Sequence, residues 1–260
     1  MKMNSLKNKL KKKETTIGSW VTFSDTAIAE IMAKSGFDWL VVDMEHSALS
    51  FNQAQEIIRI IDLCNVTPLV RVMENNPELI KRFMDIGAHG IIIPMINSKS
   101  DAERAVNAVK YPPLGTRGVG LSRAQDYSLD LESYREWNQK NSIVIVQIEH
   151  IKGVENLQSI IDVDGVDGLI IGPYDLSASL GCPGEFEHTL VQEAFQTITT
   201  AIKDSSKPLG YHVVEPNVEA ALDKLKQGYT FLAFGVDFLF FSINCRDKIN
   251  LLRKEIIDLK

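Results

Sequence analysis

IVIVQIEHIKGVENLQSIIDVDGVDGLIIGPYD, residues 143–175, reads as one complete strand–helix–strand unit. The run at 143–149 is apolar with almost no break until Gln147 and Glu149, as in a strand covered on both faces. GVENLQSIID at 153–162 has helical periodicity, and Gly165 stands where the chain must leave the helix and enter GLIIG at 168–172. Outward from this unit the pattern repeats. Strand candidates are 16–23 (TIGSWVTF), 38–43 (DWLVVD), 67–72 (TPLVRV), 90–96 (GIIIPMI), 208–213 (PLGYHV) and 231–236 (FLAFGV). Helical patterns lie between them, among them 51–64, 76–87 with Pro77 in its first turn, 101–110, 190–204 and 218–228. Gly36, Gly87 and Gly228 precede strands as Gly165 does. Eight such units in 260 residues predict a TIM (β/α)8 barrel, read as a single domain over 1–260. A doubly wound open sheet is the competitor, but no GxGxxG follows the first strand. GTRGVG at 115–120 follows a YPP turn and is expected to be a structural turn. The stretch 111–141 is expected to be the largest loop insertion, on the active-site face if it follows strand four.

Composition narrows the function class. Lys plus Arg is 28 and Asp plus Glu is 34, a net charge of −6, which argues against a general nucleic-acid binder. Apolar content of 45% excludes low-complexity disorder. No apolar run reaches the length of a membrane helix, and no apolar segment follows the lysines at 2, 7, 9, 11, 12 and 13 to make a signal peptide. Cys64, Cys182 and Cys245 form no CxxC pair, so a reducing cytoplasm is the expected location. Residues 1–15 are expected to be a lysine-rich tail or short solvated helix.

In a barrel, chemistry sits at the C-terminal ends of strands. The polar residues there are Asp43, Glu45 and His46, then Arg71, Gln147 with Glu149, Tyr174 with Asp175, and His212. Glu149 and Asp175 are hard oxygen ligands with no thiolate nearby, a pairing suited to Mg2+ or Mn2+. Each alone could be a surface group, and Asp175 could cap a helix starting at Leu176. Arg71 ends an apolar strand and needs a partner. It either stabilises an enolate or carboxylate, or makes an ion pair with Glu74 or another acid. His46 becomes a general base if Asp43 fixes its tautomer, although spacing alone favours a histidine satisfied in its loop. No strand candidate contains a lysine, so imine chemistry is disfavoured.

VVDMEHS (41–47), PLVRV (68–72), GAHGIIIPMINS (87–98), YPPLGTRGVG (111–120), the segment 146–181 and FGVD (234–237) resemble the HpcH/HpaI class II aldolases in order and spacing. The resemblance implies reversible retro-aldol cleavage of a 4-hydroxy-2-oxo acid to pyruvate and an aldehyde. It implies a divalent cofactor, Mg2+ or Mn2+ with Co2+ as a further option, held by Glu149 and Asp175. His46 with Asp43 is then the base dyad, Arg71 the enolate-stabilising group, and Gln147 a polar neighbour of pyruvate. The backbone N–H groups of Tyr174 and Asp175 receive the pyruvate carboxylate. The family also implies a homohexamer in which the C-terminal helix, with Ile249, Leu252, Ile256 and Leu259 on one stripe, is exchanged between subunits; packing on its own barrel is the simpler alternative. Two other readings stay open: Claisen-type chemistry giving acyl-CoA or citrate-like products, and a non-catalytic barrel that binds 2-oxo acids. Tyr174 replaces an alanine found in some members, and His212 lies in a region that varies with the aldehyde.

Overall fold

A computed structural model describes residues 5–259; Lys2 of the lysine-rich segment lies outside them. Eight parallel strands close into a barrel in sequence order. They are β1 (Thr16–Val21), β2 (Trp39–Asp43), β3 (Thr67–Arg71), β4 (Gly90–Ile93), β5 (Ile143–Ile148), β6 (Gly168–Ile171), β7 (Leu209–Val213) and β8 (Phe231–Val236). This is the TIM-type barrel expected from the repeated units. Gly36, Gly87, Gly165 and Gly228 all have φ between +93° and +107°, the left-handed turn that ends each helix.

The nearly unbroken apolar runs conceal an alternation. Trp39, Val41, Leu69, Ile92, Ile143, Ile145, Ile170, Phe231 and Ala233 pack together inside the barrel. Their neighbours Leu40, Val42, Val70, Ile91, Val144, Val146, Leu169 and Ile171 pack outward against the helices. Most strand residues are covered by one core or the other, so the run stays apolar while its side chains change sides. Inward positions turn polar only at the strand ends, at Asp43, Arg71, Gln147 and His212. The seam between β1 and β8 is tied by buried Asp237, which accepts hydrogen bonds from Thr22 N–H (2.6 Å), Thr22 Oγ1 (2.6 Å) and Phe23 N–H (2.7 Å).

Two expectations are corrected. The short N-terminal helix is present as Ser5–Lys11, but it is only partly solvated: Lys11 and Lys12 are exposed, while Leu6 and Leu10 join the interior cluster and close the bottom of the barrel. Its Lys7 is buried and pairs with Asp167 while donating to the Ser142 carbonyl. Apolar side chains on one turn of this short helix find the open end of the barrel, and the charge follows because Asp167 is there to meet it.

The stretch 111–141 lies away from the active-site face. It follows not β4 but the helix Lys99–Val109, which has already returned the chain to the barrel's N-terminal end. It packs around the end of helix Pro77–Asp85: Arg117 pairs with Asp85, and Tyr134 Oη donates to the Met84 carbonyl. Nor is it all loop, because Leu131–Asn141 is helical and buries Tyr134, Trp137 and Asn138. GTRGVG at 115–120 is irregular chain that follows the turn at 112–114 and opens no helix, so the turn expected there lies just before it.

The predicted helix 153–162 is two short ones, Ile151–Glu155 and Leu157–Ile161, divided at Asn156. The C-terminal helix spans Asp237–Asp258 and starts directly from β8. Beyond Phe240 most of its apolar side chains, including Phe241, Ile249, Leu252 and Ile256, are exposed, as is Leu259 just after it.

Candidate active site

Asp43 and Arg71 are register partners at the ends of β2 and β3, and both point into the barrel mouth. Their side chains form a forked pair: Arg71 Nε donates to Asp43 Oδ1 (2.9 Å) and Nη2 to Oδ2 (2.7 Å). Arg71 Nη1 lies 3.1 Å from Glu45 Oε2, an ion-pair contact without an aligned hydrogen bond. The open face of the guanidinium lies 4.6 Å from the Trp20 ring centre. Burial alone would lower the arginine's pKa, but the bonds and charge of Asp43 and Glu45 outweigh it and raise it. The partners of Arg71 are thus Asp43 and Glu45, not Glu74.

The expected Asp43–imidazole hydrogen bond is replaced by other contacts. Asp43 Oδ1, besides its bond to Arg71, accepts from the backbone N–H groups of Glu45 (3.1 Å) and His46 (3.4 Å). The His46 side chain is 67% exposed, its Nε2 3.9 Å from Glu45 Oε2. The reason is geometric. In a tight turn after β2 the nearest donors to Asp43 are backbone N–H groups, and the forked guanidinium is the best-matched partner for both carboxylate oxygens. Asp43 therefore anchors the turn that carries His46 rather than its ring.

Glu149 follows β5 and is buried. Its Oε1 accepts from Met95 N–H (2.6 Å), and its Oε2 accepts from the Gln147 amide. Met95 has φ +52°, a strained backbone state that delivers its N–H to the carboxylate. A Cβ on Gly172 would lie 2.6 Å from Glu149 Oε2, so the exit of β6 passes Glu149 with no room for any other residue. Burial is the main reason the Glu149 carboxyl is pushed up to about 7; the Met95 N–H opposes this, and the charges of Glu45 and Asp175 add to it. Burial likewise raises Glu45, against the pull of Arg71. Asp175 lies in the first turn of helix Pro173–Ser179 and is exposed. Because that helix begins at Pro173, Asp175 is not its cap. The first-turn N–H groups of Tyr174 and Asp175 have no intrahelical acceptor. The Tyr174 ring is 58% exposed and packs edge-on against Phe186 (4.9 Å between centres).

These groups fit a divalent cation on chemical grounds. Glu149 and Asp175 are the hard oxygen donors. The concentration of three acids, one buried and held partly in its acid form, is what a bound cation would relieve. Gln147 Oε1 is buried with no hydrogen-bond partner, an unused acceptor beside Glu149. Among the described residues no three potential ligands from His, Cys, Asp and Glu are clustered, so two carboxylates would have to be completed by water or substrate oxygens.

Two residues escaped the sequence reading as pocket walls. Trp20 belongs to an ordinary apolar run, and nothing local marks it as the platform of Arg71. Glu45 stood beside Asp43 and His46, but its contact with Arg71 depends on two strands meeting. His212, noticed for its place near a strand end, does face the mouth, stacked at a tilt against Trp20 (5.2 Å between centres).

Known proteins share this arrangement of chain. The family model for HpcH/HpaI aldolase/citrate lyase matches residues 16–242. A 2-keto-3-deoxy-L-rhamnonate aldolase of Escherichia coli strain K12 is 37% identical over 240 residues, 92% of this chain and 89% of that protein. The crystal structure of a family protein from Burkholderia cenocepacia J2315 superposes with a TM-score of 0.91 at 31% identity, covering 96% of this chain and 100% of the other. An HpcH/HpaI aldolase from Desulfitobacterium hafniense DCB-2 does so at 0.88 and 29%, covering 95% and 96%. A match that runs from the first barrel strand into the last helix leaves one conclusion: the chain belongs to the HpcH/HpaI aldolase/citrate lyase family.

Proposed function

We propose that this protein is a metal-dependent class II aldolase that reversibly cleaves a 4-hydroxy-2-oxo acid, of the 2-keto-3-deoxy sugar acid class, to pyruvate and an aldehyde. The observation that carries the reading is the convergence of a cation-seeking acid pair, Glu149 and Asp175, with the clamped Arg71 at one barrel mouth. Glu149 and Asp175 would hold Mg2+, Mn2+ or Co2+. When bound, that ion supplies Lewis acidity to the 2-oxo group and offsets the charge of the enolate.

The chain's own residues do the rest. Arg71 is held by Asp43 and Glu45 in one orientation, with guanidinium N–H donors left over to meet the oxygen on which charge develops when the C3–C4 bond breaks. Gln147 holds a buried, unpaired Oε1 and orients Glu149 through its amide. The N–H groups of Tyr174 and Asp175 receive the substrate carboxylate at the positive end of their helix. His46, accessible at the mouth and positioned by its backbone N–H on Asp43, accepts the proton of the 4-hydroxyl. Protonation at C3 then releases pyruvate.

The test is the purified protein with pyruvate and a panel of aldehydes, with Mg2+, Mn2+ or Co2+ added and EDTA as control. Aldol product and deuterium exchange at pyruvate C3, both abolished by EDTA, are expected. Neither signal with any ion would overturn the proposal. The family name also covers citrate lyases, and CoA-dependent turnover without aldol activity would favour that chemistry. Pyruvate binding without either activity would favour a sensing barrel. The partners are small molecules, with no nucleic acid or membrane implied. The assembly is proposed to be a homohexamer and the location the cytoplasm.

A further inference from the structure

We propose that Gly235 and Asp237 are positioning residues: the β-bulge at Gly235 and the carboxylate of Asp237 grip β1 on both sides of Trp20, and so fix the ring on which Arg71 rests. This rests on the aldolase reading above, in which Arg71 meets the enolate, and adds two residues that act on it through others.

The bulge is visible in the register. Two steps along β1, from Gly18 to Trp20, are matched by three along β8, from Ala233 to Val236. β8 therefore carries an extra residue on its β1 side, and within that step Gly235 has φ +69°. That left-handed backbone is the one a bulge takes most easily at glycine. A Cβ on Gly235 would lie 2.5 Å from the Phe240 ring, so space excludes a side chain as well. On its other side β8 pairs regularly with β7, from Gly210 on Phe231 to Val213 on Phe234. The irregularity belongs to the contact with β1.

Two grips follow. The Gly235 carbonyl takes side-chain donors, Ser19 Oγ from β1 (3.1 Å) and His212 Nε2 from β7 (3.0 Å). The Asp237 carboxylate, just past β8, reaches back to the exit of β1. There it accepts from Thr22 N–H (2.6 Å), Thr22 Oγ1 (2.6 Å) and Phe23 N–H (2.7 Å), and from its own neighbour Phe238 N–H (2.8 Å). Four donors on one buried carboxylate leave it a single orientation. Trp20 lies between the grips, just after Ser19 and two residues before Thr22. Its ring centre is 4.6 Å from the Arg71 guanidinium and 5.2 Å from the His212 ring. Asp43 and Glu45 hold the edges of the guanidinium, and the Trp20 ring limits its movement out of plane. A preorganised charge loses much of its effect when displaced by a fraction of its contact distance, so the seam behind Trp20 bears on the rate.

The test uses the full chain with Mn2+, pyruvate and whichever aldehyde it turns over fastest. Asp237→Asn keeps the shape but turns an NH2 toward groups that need an acceptor; Ser19→Ala removes a donor from Gly235. Both are expected to lower kcat and kcat/KM together, Asp237→Asn by about tenfold or more, with Mn2+ affinity and the KM for pyruvate little changed. In a Trp20→Leu background Asp237→Asn should cost little more, because its effect passes through that ring. With 5-fluorotryptophan at the three tryptophans, the 19F resonance of Trp20 should move in Asp237→Asn while those of Trp39 and Trp137 stay nearly in place, a selectivity that general loosening would not produce. Should Asp237→Asn fail to fold, Thr22→Val, which removes one donor to the same carboxylate, gives the same readings on a smaller scale. An active parent with kcat unchanged in these variants overturns the positioning role alone, as does a loss that multiplies in full in Trp20→Leu. A parent with neither C3 exchange nor aldol product removes the aldolase reading and this role with it.

Discussion

Arg71 concentrates the electrostatics of the mouth. Its forked bond to Asp43 and its contact with Glu45 fix a planar cation that would otherwise be free to rotate, and Trp20 closes one face. Replacing Arg71 by Ala is expected to reduce pyruvate formation by about 10²–10³-fold, the scale of losing one preorganised electrostatic group. Mn2+ binding, followed by calorimetry, should persist, since Arg71 is not a ligand. Near-normal turnover would remove its assigned role. Arg71→Lys is expected to rescue little, because an ammonium cannot make the forked contact. Glu149→Gln should instead abolish Mn2+ binding while the barrel stays folded. Retained binding in that variant would place the ion elsewhere.

Two elements that read as accessories hold the closed end of the barrel. Helix Ser5–Lys11 buries Leu10 at 1% exposure among the interior side chains. Leu10→Ala is expected to lower the unfolding free energy by about 2–5 kcal/mol, measured by urea titration, with little change in kcat because the site is at the opposite end. Nearby, buried Lys110 donates to the carbonyls of Asn138, Gln139 and Ser142, capping the helix Leu131–Asn141. Burial, aided by the positive charge of Lys7, brings Lys110 down to about 7, against the pull of Asp167. The sign follows from linkage. Between pH 7 and the unfolded value near 10.5 the unfolded chain holds this proton and the folded chain releases it. The cost of the buried charge is therefore complete below about pH 7 and fades as pH rises toward 10.5. Urea midpoints of the parent and of Lys110→Met should converge or cross as pH rises over that range. Parallel curves would mean that Lys110 is fully charged when folded.

At the scale of the molecule, the helix Asp237–Asp258 is out of keeping with a solitary barrel. Phe241, Ile249, Leu251, Leu252, Ile256 and Ile257 are all exposed on it, an apolar surface that a water-facing helix would not carry. An apolar groove of about 690 Å³ lies at its root, between it and the helix Thr26–Lys34. Exchange of this helix between subunits is the proposed use. Removal of the residues after Asp247 is expected to shift the assembly to a smaller species in light scattering. An unchanged mass would refute the exchange. No helix of the described residues is long and apolar enough to cross a membrane, so the exposed stripe is not read as a span.

The barrel was legible from residue order because the local units state their own endings: an apolar run, a helical period and, in four of them, a glycine able to turn left-handed. The mouth was legible too, since inward positions on a buried strand become polar only where the core stops, as at Asp43, Arg71 and Gln147. What residue order could not decide was which of those polar groups meet. Asp43 lies three residues from His46 and twenty-eight from Arg71, yet its carboxylate goes to the guanidinium, because the register of β2 on β3 sets them side by side and the fork fits better than the ring. The helical pattern at 101–110 already implied that the chain had returned before 111–141, but Trp20 could not be assigned to the site without closure of β1 against β8. Local sequence determines elements through propensity and period; contacts between distant residues are chosen by the three-dimensional register, which no single stretch contains.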